Sequence, residues 1–428
     1  MRTPLAIERE GTMYVREHTG VMYVRDGKGK ALQALLEDGS LAGRPEVRFN
    51  QCTFGKNAWR ALLAAEQLGA LRELELKQCR IKPDMLEALC TSANLPQLEA
   101  LSLRNNNLKD AAMHHLAQQT ALPGLKKLNL VYCRITADGV GTVFDGPGLK
   151  GVEEWRFSDT KLRVDAVDAL LAGSACPGTK SLQFINCPLG EKGVMKLASA
   201  PLDGVESLVL YQNGVTNRAV QTLAGSKYMS QLKELRFRYD KCSLPALMAI
   251  ADSPYMANLE VLQMSQCAIA EDGAQAIAFA ADVHKLRILD LSTTWIGARG
   301  LTAFMESETL QHLEELNIGG CHLSEDDICR IGQSTAWPSL ERLIINNNKV
   351  TDDSLKALLE WPQFAQLTHL NIDTSAVTAD GFTALVNHPN AAKLQTIGLW
   401  QTPAVADAES IAAAAGRGDL EIIDTLWD

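Results

Sequence analysis

Long apolar runs are missing from this chain of 428 residues, and with them any stretch that would cross a bilayer as a helix. The opening MRTPLAIEREG lacks the apolar core of a cleaved secretory signal. The expectation is a protein off the membrane and in the cytoplasm, with secretion without a cleaved signal as the alternative. No stretch rich in Pro, Gly and Ser marks a linker. Aromatics are only 6% of residues, so aliphatic side chains must build the core. The ten cysteines include no CxxC and no short Cys/His cluster, which removes the usual zinc and redox spacings. GxSxG and HExxH do not occur, and DGKGK at 26–30 lacks the spacing of a phosphate loop. GRGD at 416–419 contains an adhesion tripeptide, a match short enough for chance. No catalytic residue, metal ligand or cofactor is therefore assigned.

What the chain has is repetition. LELKQCRI at 74–81, LNLVYCRI at 128–135, LQMSQCAI at 262–269 and LNIGGCHL at 316–323 share one pattern. Its Cys/Asn-like position falls at Cys52, Cys79, Asn106, Cys133, Thr160, Cys187, Asn213, Asp240, Cys267, Thr294, Cys321, Asn348, Ser375 and Thr402. Those 14 units are spaced by 27 residues, except for one step of 26 between Cys187 and Asn213. A fixed internal period outranks other sequence signals. Each unit opens with a short alternating stretch that reads as a strand, such as Leu128-x-Leu130. A helix follows: in VTDDSLKALLEW, Thr351 stands at the N-cap, Asp352 and Asp353 lie in the first turn, and Leu355, Leu358 and Leu359 share a face. TADG at 136–139 and 378–381 puts Thr136 and Thr378 in the same capping role. One strand and one helix cannot bury their own apolar faces, whereas a stack of such pairs can.

LEALSLRNNNL (98–108), LEELNIGGCHL (313–323) and LERLIINNNKV (340–350) resemble the leucine-rich repeat signature L-x-x-L-x-L-x-x-N/C-x-L. The full helix, and Gly139, Gly193, Gly273, Gly300 and Gly381 at one place in the repeat, resemble the ribonuclease inhibitor-like subfamily. The resemblance covers about 44–405. It implies an α/β fold: a right-handed solenoid or horseshoe, with a parallel β-sheet on the concave side, helices on the convex side, and protein binding as the usual role. The unbroken period implies one elongated domain at 44–405. Residues 1–43 would cap it with a hairpin or degenerate repeat plus a helix. Residues 406–428 would close it, with Trp427 over the last core. Six cysteines occupy the repeated slot, where a small thiol is easily buried, so reduced structural thiols are expected.

Function then falls to the side chains that the repeat leaves free. Numbering each unit from its first Leu, positions 4, 6, 9 and 11 form the core, and positions 5, 7, 8 and 10 face the concave side or its rim. Those four positions hold 11 basic and four acidic residues, a balance of +7 in a chain of net charge −10. Tyr132, Tyr211 and Tyr239 fall among Arg104, Arg134, Arg156, Arg236 and Arg238. Exposed Tyr with Arg is the composition of interface hot spots. These eight residues are the expected partner-binding group. A second, less charged candidate surface holds Asn317, Asn346 and Asn347 with Trp295 and Trp400, and the Gly319-Gly320 pair would give it a flat spot. Trp295 and Trp400 serve equally well as structural cover on the rim. The implied function is non-enzymatic binding of a protein partner, acidic at the contact, by a monomer. Alternatives are an effector or regulatory subunit, such as a GTPase activator or ubiquitin-ligase adaptor, and a single-stranded nucleic-acid binder. Nucleic acid is disfavoured because the rest of the chain carries −17 and would repel a polyanion.

Overall fold

A computed structural model describes residues 7–9, 13–18, 20–64, 66–159 and 161–424. Thr160 and Trp427 lie outside the described residues. The chain packs as two compact units, Met1–Gly214 and Val215–Asp428. The sequence period runs through that boundary without interruption. In a repeat array each repeat touches only its neighbours, so an unbroken period does not by itself make one compact body.

In the first unit, Met13–His18 pairs antiparallel with Val21–Arg25. From Val21–Arg25 onward each strand pairs in parallel with the next, through Glu46–Asn50 and Lys127–Val131 to Ser207–Tyr211. The second unit has a parallel ladder of its own, from Glu234–Arg238 to Glu421–Ile423. A helix joins most successive strands, as a parallel ladder demands of its crossovers. Leu235, Leu262, Leu289, Leu316, Leu343 and Leu370 stand in one register row and are all buried. The short step between Cys187 and Asn213 leaves the ladder intact, since Ser181 still faces Ser207. It is absorbed after the helix Gly190–Ser199, in a connection without the 3₁₀ turn found at Pro147–Leu149 and Cys176–Gly178.

The repeated Cys/Asn slot has a common bonding role. Asn106 donates from Nδ2 to the Leu76 carbonyl at 2.7 Å and accepts the Ile81 N–H at 3.0 Å. Asn348 donates to Ile318 O and accepts from both Cys321 N and Leu323 N. Where Cys fills the slot, its thiol reaches the equivalent carbonyl: Cys133 Sγ to Leu103 O at 3.2 Å, and Cys321 Sγ to Leu291 O at 3.1 Å. Burial pushes the Cys133 and Cys187 thiols up to about 12, which keeps them protonated and able to donate. All ten cysteines are free thiols, including the neighbours Cys52 and Cys79. The residue before the slot is left-handed in most units, as at Gln78, Tyr132, Tyr239 and Asn347.

The recurring TADG glycine also has a tertiary cause. A Cβ on Gly139 would lie 2.3 Å from Asp110 Oδ1, and one on Gly381 would lie 2.0 Å from Asp352 Oδ1. Those aspartates sit in the first turn of the preceding helix and clamp the next unit's threonine. Thr136 N–H donates to Asp110 Oδ1 and its hydroxyl to Oδ2, both at 2.7 Å. Thr378 makes the same pair of bonds to Asp352. The capping role expected for both threonines holds for Thr378, which accepts from Asp380 N, but not for Thr136, whose hydroxyl makes no cap bond. Thr351 forms a full capping box with Ser354.

Candidate functional site

Strand alternation puts positions 3, 5 and 7 on the sheet face that points away from the buried leucines. Position 3 is therefore part of that face, and it is rich in carboxylates: Glu46, Glu73 and Glu154 in the first unit, Glu234 and Glu315 in the second. Including it, with Lys127 and Arg342, takes the first unit's balance from +5 to +3 and the second's from +2 to +1. The basic face expected from four positions is thus partly neutralised. Arg48 pairs with Glu46, Arg236 with Glu234, and Lys127 with Glu154 at 3.0 Å.

In the first unit the site residues separate into two places. Arg104 and Arg156 line a shallow depression of about 390 Å³ on the strand face, beside Arg48, Glu75, Lys127 and Glu154. Among the described residues, no group accepts from the buried Nε of Arg104. Tyr132 and Arg134 stand at the edge where the chain leaves the strand. With Asn105, Asn107, Asp159 and Asn186 they line a second depression of about 350 Å³. Both residues are left-handed, with φ of 55° and 59°. That backbone turns the Tyr132 ring outward, 42% exposed, although Val131 before it and Cys133 after it are buried. Tyr211, at the end of its strand, is half-buried.

In the second unit Arg238 and Tyr239 form a stacked pair, the guanidinium 5.1 Å from the ring centroid, and Tyr239 is 51% exposed. Arg236 lies one face residue back along the strand, held by Glu234 with Gln263 as a further acceptor at 3.4 Å. The less charged surface of this unit is differently made. Asn317 Oδ1 accepts the Gly319 N–H, and Asn348, not Asn346 or Asn347, carries the buried slot bonds. The expected flat spot at Gly319-Gly320 is filled. Both glycines are buried, and a Cβ on Gly319 would fall 1.9 Å from Asn346 Oδ1. Asn347 is exposed. Trp295 is 64% exposed and meets His322 edge-on at 5.6 Å. Trp400 is half-buried, and its backbone N–H donates to the buried Asp373, whose pKa burial raises.

One concavity escaped the repeat arithmetic. On the helical side of the first unit, Trp59, Leu63, Met85 and Ala88 line a groove of about 880 Å³ that Arg80 also borders. Position 10 therefore does not always belong to the sheet face. The only hint in the sequence is the run of small residues around it, Ala64, Ala88 and Ala93.

No helix among the described residues is long and apolar enough to cross a membrane. A sequence profile described as "Leucine Rich repeat" matches residues 123–143, 255–278, 284–305 and 338–359. No curated protein matches the chain in sequence. Among solved structures, Rad7 in its complex with Elc1 from yeast is 18% identical over 92% of this chain and 87% of that one, with a TM-score of 0.57. An internalin, inlF, from Listeria monocytogenes str. 4b F2365 is 16% identical over 86% of this chain and 93% of that one, with a TM-score of 0.46.

Proposed function

We propose that this chain, which carries leucine-rich repeats at four matched segments, works without catalysis, by binding a protein partner through exposed Tyr–Arg groups on each of its units. In the first unit the group is Tyr132 and Arg134 with Arg104 and Arg156, and Tyr211 two strands further along the ladder from Arg156. In the second it is Arg236, Arg238 and Tyr239. The observation that carries this reading is the exposure of two large aromatic rings close to arginines. Tyr132 is 42% and Tyr239 51% exposed, large amphipathic rings left where water reaches them, whereas the left-handed backbone beneath them recurs in most units. Arg238 stacks on one of those rings, which pre-organises the pair for contact and lowers the entropy lost on binding. A partner with carboxylates at the contact suits the guanidinium groups, and Glu46, Glu154 and Glu234 would disfavour a continuous polyanion. Rad7, solved with Elc1, is a precedent on a similar fold for holding another protein.

The test is affinity capture from the source cells with the intact protein, alongside a variant reversed at Arg156, Arg236 and Arg238. Loss of one protein from the captured set, with the variant still folded, is the expected result. Identical captured sets would refute the assignment and turn attention to Trp295 and Asn347.

A further inference from the structure

The helices Lys56–Ala64 and Pro83–Cys90 of the first unit flank the open groove of about 880 Å³. That volume lies within the range of about 300–1,000 Å³ typical of ligand sites. We propose that this groove binds an anionic amphiphile, a molecule with an acyl-like apolar tail and a carboxylate head.

The two ends of the groove differ in chemistry. Lys56 opens one helix, Arg60 lies one turn further in, and Arg80 and Lys82 lie just before the other helix, all four exposed. Among the described residues none of them takes part in an ion pair, and Asp84 is the one carboxylate in the lining. Toward the helix C-termini the lining is Leu63, Ala64, Ala88 and Ala93. Ser92 and Asn94 lie there too, but both side chains donate to the Leu63 carbonyl, at 3.2 and 2.7 Å. That end offers apolar surface and little hydrogen bonding. Between the ends stands a fixed aromatic wall. Trp59 donates from Nε1 to Met85 O at 3.1 Å and meets the Phe54 ring edge-on at 5.2 Å. The helix of nine residues is roughly 13 Å long, room for a medium-length acyl chain. A peptide helix would meet cations at one end only, whereas a head-and-tail ligand matches the gradient. Unpaired cations over a low-dielectric wall give the head its attraction.

Sodium dodecanoate, kept below its micelle concentration, is the probe. Calorimetric titration of the full chain is expected to show saturable one-to-one binding. Octanoate should bind more weakly, by up to about fourfold for each methylene removed. Dodecyltrimethylammonium, with the opposite head charge, should not saturate. The Arg60→Glu/Lys82→Glu variant should lose at least about tenfold in affinity, a modest share of what an oppositely charged pair supplies when partly desolvated. Arg163→Glu, outside the groove lining, should change nothing. Methyl-labelled methionine gives a second reading that needs no charge variant. Of the 11 methionines, the resonance lost in Met85→Leu should move with dodecanoate. Absence of saturation, equal binding of the cationic amphiphile, or a still Met85 methyl would each overturn the proposal. So would an acidic amphipathic peptide that displaces dodecanoate and binds more tightly than it does, since the site would then belong to a protein helix.

Discussion

Two surfaces of the second unit carry similar amounts of polarity to opposite ends. Asn317, Asn346, Asn371 and Asp373 turn their polar atoms back on the fold. Asn317 accepts from Gly319 N, Asn371 from Asp373 N, and Asp373 from Trp400 N, while Asn346 fills the space over Gly319. Arg238 and Tyr239 turn outward, and the contact recorded between them is with each other. A short amide or carboxylate near the sheet is within reach of its own backbone and is used up there. A guanidinium or phenol on a longer stem passes beyond that reach and stays available to a partner. Polarity alone therefore does not mark a binding surface; the distance from backbone to polar tip does.

The comparison breaks most sharply by charge reversal. Arg236→Glu with Arg238→Glu should weaken a captured partner by about 2–5 kcal/mol, because a reversed charge at a buried contact leaves its counterpart unpaired. Thermal stability should fall by no more than about 1 kcal/mol, even though Glu234 loses its ion-pair partner. Asn348→Ala should do the reverse: about 2–3 kcal/mol of stability lost, since Cys321 N and Leu323 N lose their acceptor in the core, with partner affinity unchanged in the protein that stays folded. Both variants can be read by thermal denaturation and by surface-immobilised binding.

Two aspartates sharpen the distinction through pH. Asp327 is drawn into the fold against a burial penalty by bonds from Ser324 and by Arg330, and its pKa ends below the ordinary 3.8. A depressed carboxyl stabilises above the unfolded value and loses that contribution as pH falls through the folded one. Asp327→Asn should therefore cost about 1 kcal/mol at neutral pH, the size of a helix cap, and the deficit should shrink in acid below 3.8. Burial raises Asp373 instead, so its protonated form is the one favoured by folding. Its contribution is complete below 3.8 and is lost as pH rises through the folded value, so Asp373→Asn should gain on the parent over that rise. Melting curves from pH 3 to 7 would separate the two slopes; parallel slopes would mean that neither carboxylate is tuned as described.

Arg104→Ala and Arg134→Ala should have the smallest effects. Charges outside the centre of a contact act mainly on the rate of encounter, so the loss in association should fade as salt is raised. A loss of more than about tenfold that persists in high salt would move these two residues into the centre of the contact.

Much of the architecture was legible because a repeat states each rule many times. One Leu-x-Leu could be chance, whereas Leu235, Leu262, Leu289 and Leu316 at a constant spacing fix the register and the buried side of the sheet. The slot's burial was legible for the same reason. Cys133 replacing Asn106 as a donor to the preceding strand's carbonyl was not, because the sequence shows the size of a thiol but not where its hydrogen points. The binding face was only half legible. Alternation assigned Arg104 and Arg156 to the sheet face. It also put Glu46, Glu154 and Glu234 there, one step before the positions that had been counted.

The sequence by itself determined the period, the strand-and-helix content of each unit and the identity of the buried rows, because those depend on spacing along one chain. Tertiary structure decided what depends on neighbours in space. It set the left-handed turn that lifts Tyr132 and Tyr239 out of the sheet, and Asn346 closing over Gly319. It made Asp110 and Asp352 the reason that glycine recurs in TADG. It opened the groove beside Trp59, where small side chains on two helices 27 residues apart leave a volume that neither helix encodes alone.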